Sequence, residues 1–588
     1  MSSLPILDLR DAYLFVVAGA LIVHLIYMKS EVQPSSYFPT LVLLIATPFL
    51  CSSFLIAHFA SATTAYLAGF AMFYASLLTS IACYRLSAWH PLAKYLGPVL
   101  AKLSKFWILY MIWKGKQLDV VTGLHKKYGT HVRLGPNELS IADADLLPAL
   151  LAPDMPRGPM WDGRRNPDAE PNLIATRSRE DHARKRVAWT HAFSTASVRE
   201  YQPAIARRAG QLAEELEKRA LAGETVDLVN WMICFAFDFM GDMAVIAWQM
   251  HIPWATRLLL KIPFATEAVV KFRNFTIQCA KQRQEKGSSA KDLFYHLIGE
   301  GKEDDSKMTQ AQLNELVVSG ELAIVAGSDT TSTTLSGVFF YLLTHPECYD
   351  RLRKEVDTVF PPGEGEPFDG ARLAEMKYLN AVINETLRIQ PAVPTAIQRS
   401  PEKGAGGKWI GKDYIPEGRA PEKGTGGKWI GKDYIPEGTA VNIPPYVLHH
   451  NPKYFSPAPD SFMPERWLQN SNSEKMLSNN EKVAHYYPAF IPFSAGHANC
   501  AGKNLAMAEM RVYFSPMPDS FMPERWLNSE KTLGSEKVVH YYPAFIPFSA
   551  GHANCAGKNL AMAEMRVVTA LLMQKFDIRF APGYDPAR

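Results

Sequence analysis

The chain has 588 residues, 47% of them hydrophobic, so it can bury a large core and is long enough for more than one domain. Its net charge is only +4 without long basic runs, which sets nucleic acid aside as a partner. Seven cysteines with no framework spacing argue against a secreted disulfide scaffold and for a core facing a reducing compartment.

Ala12 to Met28 carries no formal charge, and between Glu31 and Arg85 no Lys, Arg, Asp or Glu occurs. The second stretch is too long for one span of ~20 residues and fits two, Thr40 to Phe59 and Ala62 to Tyr84, giving three transmembrane helices in an anchor over residues 1–88. Asp8 and Asp11 in place of a basic leader argue against a cleaved signal peptide. Arg85, Lys94, Lys102 and Lys105 behind the last span place residues 89–588 in the cytosol by the positive-inside rule, with the amino terminus opposite.

Pro91, Gly97 and Pro98 suggest a hinge behind the anchor, and Leu124 to Asp143 reads as short strands broken by Gly129 and Gly135-Pro136. From Asp181 helical patterns dominate, so the soluble part is mainly α with small β-sheets. The longest helix runs from a capping box at Thr309 and Gln312 to the stop at Thr344-His345-Pro346, about 50 Å at 1.5 Å per residue. Its middle, AGSDTTSTT from Ala326 to Thr334, is a poor helix former and predicts a local bulge.

Two near-verbatim duplications follow: residues 399–418 return as 419–438, and 455–512 as 514–567, the last 28 residues of each long copy being identical. Solenoid repeats tile a chain and diverge, which these do not, so one catalytic domain and an anchor account for the whole length once single copies are counted.

The chemistry lies in the long duplication. FSAGHANCAGKNLAMAEMR, Phe548 to Arg566, places Cys555 between Gly551 and Gly557 just ahead of a helix, and the same run surrounds Cys500. Glycines let the main chain approach a thiolate, and the helix start favours its charge. The run resembles the haem-binding signature FxxGxRxCxG of the cytochrome P450 family of haem-thiolate monooxygenases.

Three further elements carry the resemblance in the family's order, over roughly residue 90 to the end. ETLR, Glu385 to Arg388, matches the ExxR element, whose i, i+3 spacing puts both side chains on one helical face. PERW, at Pro464 to Trp467 and again at Pro523 to Trp526, matches the segment whose arginine joins that pair; Arg525 is the expected partner. AGSDTT, Ala326 to Thr331, matches the oxygen-activation motif of the central helix.

The resemblance implies a P450 fold behind the membrane helices, haem b (iron protoporphyrin IX), O2, and electrons from an NADPH-dependent reductase, since the chain has no flavin or dinucleotide motif. Thiolate ligation favours O–O cleavage, which needs protons, and Asp329 and Thr330 are the expected acid–alcohol pair delivering them through water. Arg186, in the family's WxxxR position with His182 in place of the tryptophan, and Arg399 are expected to face the haem propionates. Ala553, and Ala498 in the first copy, replace the loop arginine, leaving His552 as the adjacent donor. Lys503, Lys558 and Arg566 form a candidate face for an acidic reductase.

One central helix and one ExxR leave room for one haem. With Cys555 as iron ligand, Lys558 to Phe576 is one unbroken helix; with Cys500, Ser515-Pro516 would break it. Lengthening a loop costs only ~0.6 kcal/mol per doubling, so Cys555 is favoured, with Cys500 the alternative. The pocket walls expected after Pro153, from Trp231 to Val270, along the central helix and after Pro391 are apolar, implying a hydrophobic substrate, while the resemblance together with the anchor implies an endoplasmic reticulum membrane setting. The alternatives are a haem-thiolate peroxide isomerase or dehydratase, which needs neither reductase nor O2, and an inactive product of the duplication.

Overall fold

A computed structural model describes residues 7–29, 37–153, 155–164, 170–192, 194, 210–236, 274, 277–278, 310–361, 369–395, 397–401, 427–431, 433–436, 438–468, 489–492, 494 and 558–581. Helices α1 (Leu9–Lys29), α2 (Tyr37–Ser52) and α3 (Ala62–Leu86) pack around their own apolar cluster, with Ala12, Val16, Leu55, Ala65 and Phe73 fully buried. Close packing is built on small residues: a Cβ on Gly69 would collide with Ser52 Oγ. The outward faces are apolar too, with Leu14, Ile22, Leu67 and Leu78 more than half exposed.

Two of these helices, not three, are long and apolar enough to cross a bilayer, α1 and α3. The middle segment contains Pro48 and tightens into a 3₁₀ turn at Ser53–His58, so its α-helical part has 16 residues, about 24 Å at 1.5 Å per residue.

The expected hinge is a docked seam. After α3 come α4 (Val99–Leu103), α5 (Phe106–Trp113) and α6 (Gln117–Tyr128), then β1 (His131–Gly135) and β2 (Glu138–Ile141). Arg133 N of β1 donates to Leu96 O at 2.7 Å, and a Cβ on Gly97 would collide with Arg133 O, so Gly97 permits close approach of two backbones and not a swivel.

Further elements that frame the site are α7 (Arg179–Ala192), α8 (Leu228–Ala236), α9 (Gln310–Thr344), α10 (Pro346–Val359), α11 (Gly370–Glu375), α12 (Lys377–Ile389), β3 (Ile397–Arg399), β4 (Gly427–Ile430), β5 (Asp433–Pro436), β6 (Ala440–Ile443), α13 (Pro445–His449) and α14 (Lys558–Lys575). One sheet runs β1-β2-β6-β3, with β2 and β6 parallel and the other pairs antiparallel; β4 and β5 form a separate hairpin. That hairpin is built from the second copy of the short duplication and is tied down by Lys94 Nζ to Asp433 Oδ1 at 2.7 Å.

The central helix α9 stops at Thr344 as its sequence dictates, while the proposed cap at Thr309 lies outside the described residues. No bulge interrupts it. Thr330 Oγ1 donates to Ala326 O at 2.8 Å and Thr334 Oγ1 to Thr330 O at 2.9 Å, so these hydroxyls bond back along the helix, and burial of Thr331, Thr334 and Leu335 overrides weak local propensity. Packing against α9 are α8, α12 and α14; on α14, Val567, Val568, Ala570, Leu571, Leu572 and Met573 are all fully buried.

Candidate functional site

From Tyr378 to Ile389 almost every position of α12 is buried, and its last turn carries Glu385 and Arg388, neither of which has any solvent exposure. The i, i+3 spacing folds them into a two-pronged pair, Arg388 Nε to Glu385 Oε2 at 2.9 Å and Nη2 to Oε1 at 2.7 Å. The spare Arg388 donors reach the carbonyls of His449 at 2.8 Å, Pro459 at 2.6 Å and Ser461 at 3.0 Å. The ion pair therefore clamps the loop after α13 onto α12.

A second arginine closes the cluster. Arg466, fully buried in a 3₁₀ turn at Pro464–Trp467, brings Nε to 3.5 Å from Glu385 Oε1, and the same turn sends Trp467 Nε1 to Glu385 Oε2 at 2.8 Å. This is the first copy of PERW. Arg525, the arginine expected here, lies outside the described residues. Burial alone would raise the Glu385 pKa, but Arg388, Arg466 and the Trp467 donor outweigh it and hold the carboxyl below its usual range.

His449 extends the cluster toward the cysteine segment. Ile491 N donates to its Nε2 at 2.9 Å, which leaves Nδ1 as the protonated nitrogen, donating to Arg388 O at 3.1 Å. Burial, reinforced by His450 and Arg388, depresses its pKa well below 6.5, so the ring is neutral. Phe490 packs between this ring and Trp467, at 5.2 and 4.6 Å between centroids. The sequence reading missed His449; its only trace is a pair of histidines, His449 and His450, after an apolar Pro-Tyr-Val-Leu run.

The cysteine runs are reached from both ends. Ile491 and Ser494 of the first copy precede Cys500, and α14 of the second copy begins three residues after Cys555; Cys500, Cys555 and His552 themselves lie outside the described residues. Thr330 is half-buried on α9, and the Asp329 side chain is likewise outside the description.

Arg399 on β3 is fully buried, and burial pushes its pKa down to about 10. A backbone bridge joins it to Arg157, whose guanidinium lies 4.7 Å from the Trp161 ring centre. On α7, His182 is 5% exposed and Arg186 is half-buried one turn on. Arg566 is 7% exposed, and its Nε and Nη1 have no hydrogen-bond partner among the described residues. It sits in the buried stretch of α14, so it cannot belong to an exposed docking face, contrary to the sequence reading. Burial depresses its pKa with no carboxylate in opposition. The two orphaned nitrogens of buried Arg566 call for an anion, and a propionate of a porphyrin fits that need.

The cytochrome P450 family model matches residues 245–406, 430–517 and 512–588, the last two matches splitting where the long duplication repeats. Cytochrome P450 monooxygenase FCK2 of Fusarium pseudograminearum is 33% identical over 75% of this chain and 77% of its own length. Cytochrome P450 67 of Uromyces fabae is 28% identical over 86% of this chain and 83% of its own. Tryprostatin B 6-hydroxylase of Aspergillus fumigatus is 28% identical over 92% and 83%, respectively.

Proposed function

The chain belongs to the cytochrome P450 family of haem-dependent monooxygenases, and from that premise we propose a membrane-anchored enzyme that inserts one oxygen atom of O2 into a hydrophobic organic substrate. Electrons come from NADPH through a separate reductase. The anchor, α1 and α3 with α2 beside them, holds a cytosolic catalytic domain to the endoplasmic reticulum membrane.

Haem b, when bound, would supply the chemistry of O2 activation, with a cysteine thiolate favouring O–O cleavage. Cys555 provides that thiolate, with Cys500 as the alternative. Supporting Cys555 is the unbroken helix that starts at Lys558 and is buried from Arg566 through Met573. Supporting Cys500 is the Ile491 amide, fixed by His449 on the same copy. Glu385, Arg388 and Arg466 brace this segment, Arg466 filling the part assigned from sequence to Arg525. Arg186, His182, Arg399 and His552 would hold the propionates, and Arg566 would add a buried cation to that set.

Asp329 and Thr330 move protons. The Thr330 hydroxyl gives its hydrogen to Ala326 O, so its lone pairs are left to accept from water or from a protonated Asp329. A reductase would meet Lys354 and Lys377 at an open surface cavity of about 420 Å³, which Arg351, paired with Glu465, and Glu355 also line, in place of the buried Arg566.

The observation that carries this reading is the fully buried Glu385–Arg388–Arg466 cluster, tied through His449 to the segment leading into a cysteine loop. Carbon monoxide added to the reduced protein tests it. The red-shifted Soret band of a thiolate-ligated haem is expected, lost in Cys555→Ser and kept in Cys500→Ser. Loss in Cys500→Ser alone would move the ligand to the first copy, and a nitrogen-ligated spectrum in the unaltered chain would end the proposal.

A further inference from the structure

Across one face of the four-stranded sheet the chain sets a row of polar side chains where apolar ones would pack. Glu138 and Ser140 of β2, Asn442 of β6 and Gln398 of β3 are each at most 5% exposed, and the register places Asn442 opposite both Ser140 and Gln398. The alternate residues Leu139, Val441, Ile443 and Ile397 turn to the other face and join the main apolar core. A buried polar row is tolerated only when its members are satisfied, and here the bonds have one direction.

That direction is set by a carboxylate. Glu138 Oε1 accepts from Asn442 Nδ2 at 2.5 Å and from Gln398 Nε2 at 2.9 Å, while Oε2 faces the partly exposed Lys105 Nζ at 3.0 Å. An ionised carboxylate only accepts, so both amides must turn their nitrogens toward it. Gln398 Oε1 is thereby aimed the other way, where it accepts from Met160 N at 2.8 Å. Met160 lies in the first turn of a 3₁₀ helix at Pro159–Arg164, whose leading amides have no partner within the helix.

Gln398 also holds the chain ahead of that turn. Gly158 N donates to Gln398 O at 3.2 Å, Ser400 N donates to Pro156 O at 3.1 Å, and Arg157 and Arg399 form an antiparallel bridge. A Cβ on Gly158 would collide with the Gln398 side chain, so glycine is what allows the turn to close over it. Residues 156–164 are thus fastened to β3 by backbone bonds at one end and by a single side-chain oxygen at the bend.

We propose that Gln398 is a positioning residue: through Met160 it fixes how far residues 156–164 reach toward a bound substrate, with Glu138 setting its orientation, and it thereby limits the size of molecule admitted. A hydrogen-bonded chain running from Lys105 across three strands ends on one amide of a segment whose backbone pairs with Arg399, the residue expected at the haem propionates. The size limit rests on the haem reading and the fastening does not, so the test has an arm for each.

Hydrogen–deuterium exchange of the full chain, read on peptides, tests the fastening. Exchange over residues 156–164 should quicken about tenfold in Gln398→Leu, with residues 131–141 unchanged. Gln398→Glu should quicken it too, because two buried carboxylates then face each other. Adding Glu138→Gln to Gln398→Glu moves the charge from β2 to β3 and, with the Asn442 amide turned over, gives every donor an acceptor again, so protection should return. Unchanged exchange in Gln398→Leu, or a double variant no better protected than Gln398→Glu, overturns the proposal; quickening at 131–141 as well would mean general damage to the sheet, and the double variant then decides. For the size limit, imidazole and the bulkier phenylimidazole are titrated against the Soret band. Gln398→Leu should change phenylimidazole affinity about tenfold and imidazole affinity less than about twofold. An equal change in both, or none in either, overturns the size limit. An unaltered chain whose Soret band ignores imidazole sinks the haem reading and the size limit with it, while the exchange result still decides the fastening.

Discussion

At the scale of single residues, Glu385 is the carboxylate with most at stake. It is surrounded by two guanidinium groups, an indole N–H and the Met463 amide at 3.0 Å, all inside the protein. Glu385→Gln would leave Arg388 and Arg466 buried without their counter-charge, a loss of the order of 3–5 kcal/mol. Thermal melts should show that loss, together with failure to retain haem. Its depressed pKa contributes stability above the unfolded carboxyl value of ~4.3, and that stability is lost as pH falls further.

His449 acts earlier on the pH scale and in the same direction. The folded ring stays neutral well below 6.5 while the unfolded ring takes up a proton there, so stability should begin to fall as pH drops through about 6.5. His449→Gln is expected to flatten that slope in equilibrium denaturation at pH 6.5 against pH 5. It should also shift the reduced carbon monoxide band toward the nitrogen-ligated or unligated form if the Ile491 bond positions the cysteine segment. A slope identical to that of the unaltered chain would show that the ring titrates normally. The pairing of Glu385 with Arg388 was legible from spacing, since i, i+3 fixes the face whatever the burial. His449 was not, because its role depends on an amide 42 residues away.

At the scale of elements, α9 and α14 were legible for different reasons. The length and stop of α9 follow from apolar periodicity and His345-Pro346. Its expected bulge did not follow, because threonine hydroxyls bonded back to i−4 carbonyls and tertiary burial decide the backbone there. Thr330→Ala should leave stability nearly unchanged while product formed per NADPH consumed falls about tenfold or more, the excess appearing as peroxide. Equal coupling in the variant would remove Thr330 from proton delivery. The membrane segment shows the limit of composition: an uncharged stretch tells how much chain is apolar, and Pro48 with the 3₁₀ turn decides how much of it is one α-helix. Leu571→Ala, emptying a position with no exposure on α14, a helix packed against α9, α10, α11 and α12, should cost about 2–5 kcal/mol in denaturant titration.

For the whole molecule, the long duplication poses a problem of register that sequence alone left open, because identical segments have identical propensities. Packing divides them: Arg466, Trp467, Phe490 and Ile491 come from the first copy, and α14 comes from the second. Between Ile491 and Lys558 the chain carries two cysteine runs for one ExxR helix. Deleting residues 501–555 joins Cys500 to Ala556 and restores one uninterrupted run, the same product that any 55-residue excision within the identical stretch would give. Every described contact on either side survives that excision. Shortening a loop changes closure entropy by only ~0.6 kcal/mol per halving, so the trimmed chain should melt at the same temperature or slightly higher. It should also keep the thiolate carbon monoxide band with a single cysteine run. Loss of that band would mean that both runs take part in the folded site, and would require a different account of how Arg466 and α14 come to share one core.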